Sequence, residues 1–190
     1  MIRATSILAI TVITGLSACG GGGGGGRNDG PSFADIARSG DKILYRYEGT
    51  PATALANMPT SGKAGYRGVV GVDVDNDNKN RASFRDMDAV GEAKLTADFG
   101  SSSVTGKLDN FKGRNGYGKV SGTMNVSGRI VGNRISGLTS GVMKVPGQET
   151  AAIGTTFGGG FKGTGAESLY GSGTGKVGKK SVYIQVQTTQ

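Results

Sequence analysis

From Lys63 onward the chain alternates apolar or small residues with polar ones, in runs separated by glycine-bearing turns. In Val90–Phe99, residues Ala93, Leu95, Ala97 and Phe99 share one side while Lys94, Thr96 and Asp98 share the other. Val104, Gly106 and Leu108 alternate with Thr105, Lys107 and Asp109 in the same way. The longest run sets Val120, Gly122, Met124, Val126, Gly128 and Ile130 against Ser121, Thr123, Asn125, Ser127 and Arg129. A period of two is the signature of antiparallel strands with one face buried. Less regular runs at Tyr66–Val74, Arg134–Val142, Thr156–Gly163, Glu167–Val177 and Ser181–Gln187 bring the total to about eight strands. Turns are expected at Asp98-Phe99-Gly100-Ser101, Gly132-Asn133, Gly163-Thr164-Gly165 and Gly178-Lys179.

The fold class read from this pattern is all-β: an eight-stranded antiparallel soluble β-barrel with a short N-terminal extension. Eight strands close around an interior just wide enough for side chains, and inward glycines permit the tight coiling that this needs. A transmembrane barrel is the rival. It requires an apolar outer band between aromatic girdles, whereas here the alternate face carries Lys94, Asp98, Lys107, Asp109 and Arg129, and aromatics are only 6% of residues. Ahead of the barrel, Phe33, Ile36 and Ala37 have helical spacing over about a turn. Lys42–Glu48, with Tyr45 and Tyr47 on one face, reads as a short strand, and Thr53–Met58 as a helical turn before Pro59.

The first residues are of a different kind. Arg3 precedes an uncharged segment, Ala4–Gly15, which is too short to span a bilayer and ends in small residues, as a secretion signal does. Leu16-Ser17-Ala18-Cys19 resembles the lipobox of bacterial lipoproteins. That resemblance implies cleavage before Cys19 and acylation, palmitate included, of its sulfur and new amino group; the alternative is an ordinary signal peptide with a cysteine near the cut. Two or more acyl chains make a stable anchor where one is marginal. Gly20–Gly26 and the polar residues to Pro31 then read as a tether reaching about 20 Å. Gly20 after the cysteine resembles lipoproteins forwarded to the outer membrane. The expected organisation is signal peptide 1–18, lipidated cysteine and tether 19–31, extension 32–60 and barrel 61–190.

Composition narrows the chemistry. Cys19 is the only cysteine and there is no histidine, so an internal disulfide, the usual zinc and copper sites and His-based catalysis are all absent. We therefore expect no enzyme and no cofactor. The formal net charge of +8 is scattered, with little aromatic interleaving, which argues against nucleic acid and leaves acidic partners or anionic head groups. Asp73, Asp75 and Asp77 are weak metal candidates. They stand at alternate positions like the start of an EF-hand loop, but Asn78 occupies the place of its glycine and Phe84 that of its bidentate glutamate, so a solvated hairpin loop is favoured. Six tyrosines are conceivable haem-iron ligands, though packing is the simpler role. Glycine-rich Gly158–Gly160 and Gly171–Gly175 lack the ending of a phosphate loop.

Phe161-Lys162-Gly163-Thr164-Gly165-Ala166-Glu167-Ser168-Leu169-Tyr170-Gly171 resembles a signature of the transferrin-binding protein B family of surface lipoproteins. In it Gly163 and Gly165 allow a tight turn, and Glu167 is placed to accept bonds from backbone N–H groups at the tip. Ala97-Asp98-Phe99-Gly100 leading to Val104-Thr105-Gly106-Lys107-Leu108 is similar to that family's strand–turn–strand unit. Pro59-Thr60-Ser61-Gly62 leading to Ala64-Gly65-Tyr66-Arg67-Gly68 is similar to the approach to its first barrel strand. The resemblance implies a barrel anchored in the outer membrane and displayed on the surface of a Gram-negative cell. Its partner would be a host or environmental protein, or an iron- or haem-related ligand, bound by loops. Alternatives are a structural envelope lipoprotein without a soluble ligand, and a haem carrier. One barrel leaves no room for the second lobe or the handle domains of transferrin-binding protein B itself.

Overall fold

The structure, a computed structural model, describes residues 30–75 and 82–190. The signal segment, Cys19, the glycine tether and Asp77 lie outside the described residues. Eight strands run in chain order around a closed barrel: β1 (Lys63–Val74), β2 (Ala89–Asp98), β3 (Ser103–Gly113), β4 (Ser121–Val131), β5 (Arg134–Lys144), β6 (Ala151–Lys162), β7 (Ser168–Val177) and β8 (Lys180–Thr189). Every neighbouring pair is antiparallel, and β1 closes on β8 from Arg67↔Thr189 to Val74↔Val182.

The alternation read from the sequence is the alternation of the barrel wall. Ala93, Leu95, Ala97, Val104, Leu108, Met124 and Val126 point inward and are buried together with Phe157, Phe161 and Ile184. The intervening polar residues face out. An apolar interior and a polar exterior suit a barrel standing in water and are the reverse of a lipid-facing one. Inward glycines let the strands close up. At Gly137 a Cβ would fall 2.5 Å from the Gly128 Cα and 3.0 Å from the Ser127 carbonyl carbon, both immovable backbone. The two polar residues Thr139 and Thr155 are tolerated inside because their hydroxyls bond each other at 2.6 Å.

The extension differs from expectation. Lys42–Glu48 is no strand: α1 runs unbroken over Phe33–Tyr47. Ser32 caps it, accepting from the Asp35 N–H while the Asp35 carboxylate accepts from the Ser32 N–H, a reciprocal capping box. Tyr45 and Tyr47 therefore do not share a strand face; Tyr45 is exposed and Tyr47 is buried. Local β-propensity in Ile43, Tyr45 and Tyr47 lost to burial of a helical stripe. Ile36 and Ala37 pack on Val69, Val90, Phe84 and Met87, making a second small core outside the barrel, over β1 and β2. This explains why Val69 and Val90 are apolar on the outward side of their strands. Gly40 sits mid-helix because a Cβ there would meet the Phe84 ring at 2.6 Å. The expected turn after the helix is present as a single 3-10 turn, Leu55–Asn57.

Asp41 fixes the helix in place. It is only 4% exposed, and accepts from the Phe84 N–H at 2.7 Å and the Ser83 hydroxyl at 3.0 Å while Arg85 Nε approaches to 3.3 Å. Removing a carboxylate that satisfies buried donors leaves them unpaired. Asp41→Ala should destabilise the protein by about 2–3 kcal/mol, read as a lower urea midpoint, with Asp41→Asn falling between it and the parent.

Candidate binding surfaces at the barrel ends

The two ends of the barrel are built differently. One carries the short connections β2–β3, β4–β5 and β6–β7, and it is closed by the segment between α1 and β1. Thr53 donates its N–H to the Phe161 carbonyl at 2.9 Å and its hydroxyl to the Gly163 carbonyl at 2.8 Å. Asn133, in the β4–β5 turn, donates its side-chain amide to the Thr53 carbonyl at 2.7 Å. Lys162 Nζ donates to the Tyr47 carbonyl at 2.9 Å and lies 5.2 Å from the centre of the Tyr170 ring.

Phe161–Gly171 forms the architectural centre of this end. Gly163 has φ of 89°, a value that glycine adopts at little cost. Ala166 takes φ of 61° while fully buried, and its carbonyl accepts from the Tyr66 hydroxyl at 2.6 Å and the Gln190 amide at 2.8 Å. Phe161 packs between the Tyr66 and Phe99 rings, with centroids at 6.0 and 5.7 Å. Glu167 does not play the part expected of it. Its backbone carbonyl, not its carboxylate, takes bonds here, from the Gln190 N–H at 3.0 Å and the Thr189 hydroxyl at 3.4 Å, while the carboxylate lies over Gly163.

The opposite end carries the longer connections, 75–88, 114–120 and 145–150, and the tight β7–β8 turn at 178–179. Arg114 ties two of them together: its N–H donates to the Asp88 carbonyl at 2.8 Å and its guanidinium meets the Asp88 carboxylate at 3.2 Å. Asp88 in turn accepts from the Val74 N–H at 3.0 Å. Lys119, Gly147, Glu149 and Lys179 are exposed around this rim. Loops free to vary on a rigid scaffold are the usual carriers of recognition. Of the two ends, this one has them.

Of the three aspartates singled out in the sequence, Asp73 and Asp75 are described and Asp77 lies outside the described residues. Asp73 is buried on the outer side of β1, opposite Tyr183 in register. Asp75 leaves the strand with φ of 66°, donates its N–H to the Ser181 carbonyl at 2.7 Å and accepts an ion pair from Lys180 at 2.7 Å. Among the described residues no three His, Cys, Asp or Glu side chains gather in a metal-binding group. The tyrosines are likewise dispersed. Tyr66 is in the core, Tyr47 bonds Thr189 at 3.3 Å, Tyr45 stands out from α1 and Tyr170 lies on the wall beneath Lys162.

Burial pushes the Tyr66 phenol above its ordinary value of 10.0, against the smaller opposing effect of the Gln190 amide. Its raised value gives a stability contribution that is whole below about pH 10 and is lost as pH rises further, because the unfolded chain ionises first. Tyr66→Phe should lower stability by about 1 kcal/mol at neutral pH through the lost bond to Ala166. It should also remove part of the alkaline loss, checked by thermal melts between pH 8 and 11.

The sequence model described as the C-lobe and N-lobe β-barrels of transferrin-binding protein B matches residues 58–185. A mutant of the transferrin-binding protein B vaccine antigen of Haemophilus parasuis is similar in structure, with a TM-score of 0.55 at 23% identity, over 73% of this chain and 28% of that one. The structure of intact Ap-TbpB, with its N and C lobes, is similar with a TM-score of 0.53 at 22% identity over the same shares. This chain thus spans about 28% of the length of those proteins. No curated protein matches it in sequence. The chain belongs to the family of the C-lobe and N-lobe β-barrels of transferrin-binding protein B.

Proposed function

We propose that this protein is a lipid-anchored, surface-displayed binding module. Its barrel captures a host or environmental protein, or an iron-linked ligand, by non-covalent recognition and without catalysis. The observation that carries the reading is the family match over residues 58–185, joined to a barrel whose interior is filled by its own side chains. With the inside occupied, ligands meet the outer surface. The structural relatives are named for binding transferrin; transferrin is accordingly the first host protein to try.

Cys19 is the anchoring residue in this reading, the outer membrane its location and the glycine run its spacer. Metabolic labelling with palmitate should mark the full chain, and Cys19→Ser should lose the label and release the protein from the membrane fraction. Protease added to intact cells should remove the barrel; survival until the outer membrane is broken would favour a structural envelope role. Immobilised mature chain should retain transferrin or another serum protein. A saturable Soret shift on haem titration, with no protein retained, would identify a haem carrier instead.

A further inference from the structure

The charges on the barrel wall are segregated. Strands β4, β5, β6 and β7 contain no aspartate or glutamate at all. β8 is likewise free of acids, whereas β1, β2 and β3 carry them, and there Lys63, Lys94 and Lys107 pair with Asp98, Glu92 and Asp109 at 3.3, 2.7 and 3.2 Å. Arg129, Arg134, Lys144 and Lys176 at the ends of β4, β5 and β7 have no ion-pair partner among the described residues.

Between those bases the outer face is uncharged and low in relief. The central rows run Ser127–Leu138–Thr156 and Thr123–Val142–Ala152 across β4, β5 and β6. Leu138 and Val142 are 61% and 52% exposed in the middle of it. Toward the closed end, Gly158 and Gly159 leave bare backbone as the floor of a hollow of about 550 Å³, walled by Val131, Arg134 and Tyr170. Helix α1 covers β1, β2 and β8 and leaves this side of the barrel open.

We infer that the outer wall of β4–β6, with the Gly158–Tyr170 hollow at its edge, is a docking face for a protein whose contact surface has an uncharged centre and an acidic rim. Depletion of charge at the centre with polar groups around it is the anatomy of a protein interface, and the hollow has room for apolar anchor side chains beside a carboxylate that reaches Arg134. Unpaired bases facing an acidic rim raise the association rate and select against basic partners. An anionic membrane is the weaker fit, because the wall has only isolated apolar residues and no aromatic belt to enter lipid. This inference rests on the proposed capture of a protein, and assigns that capture to the wall and not to the loop-bearing end.

The test uses the immobilised mature chain, with whole serum as the probe. The parent is compared with Thr156→Glu and Arg134→Glu on the wall and with Lys119→Glu and Lys179→Glu on the loop rim, all first shown to melt within a few degrees of the parent. We expect a retained protein of acidic character whose binding weakens at least tenfold in each wall variant, weakens with salt and is unchanged in the rim variants. Retention that survives the wall substitutions overturns the inference and leaves the capture reading intact. No retention by the parent overturns both. Binding of phosphatidylglycerol vesicles, lost in the same wall variants while no serum protein is held, overturns the inference in favour of a lipid surface.

Discussion

Closure of β1 on β8 is the constraint from which the rest of this structure follows. Once eight strands form a ring, the space inside is fixed at little more than the volume of the inward side chains. Tyr66, Phe157, Phe161, Met124 and Met143 fill it, and glycines such as Gly137 keep neighbouring backbones close enough to complete the ladder. The filled interior leaves only the outer surface for the proposed binding. The same ring abolishes free sheet edges, so a domain without an internal disulfide avoids edge-to-edge association by geometry alone.

The corner around Ala166 locks that ring to the segments before and after it. One buried carbonyl receives both the Tyr66 hydroxyl and the Gln190 amide, and Thr53 bonds the two carbonyls flanking Lys162. The stretch that most resembles the family signature is therefore a structural joint. This separates two kinds of information: the joint identifies the barrel, whereas the loops and outer wall are free to carry specificity.

Helix α1 makes the wall asymmetric. It buries the outward valines of β1 and β2 and is pinned by Asp41, and the acid–base pairs of β1–β3 lie on adjoining wall. The helix leaves the acid-free wall of β4–β6 uncovered. Among the bases, Arg129, Arg134, Lys144 and Lys176 frame one neutral face of the barrel.

Strand number and inward faces were legible in the chain because period-two burial is a local property: Leu95 and Lys94 are adjacent in sequence and on opposite faces by backbone geometry alone; boundaries were less so, and β6 begins at Ala151, five residues before the expected Thr156. The turns at Gly132, Gly163 and Gly178 were legible for the same reason, each needing a positive φ. The helix was misread over Lys42–Glu48, since its apolar stripe finds a partner only on Val69, Val90 and Phe84, far away in sequence. The burial of Asp73, the pairing of Asp75 with Lys180, the use of the Glu167 backbone, and the pairing of some bases but not others depend on which strands become neighbours. The amino-acid order by itself determined the barrel and its family; only the tertiary structure decided which surfaces stay open, because exposure is set by what packs across the chain and not by what lies along it.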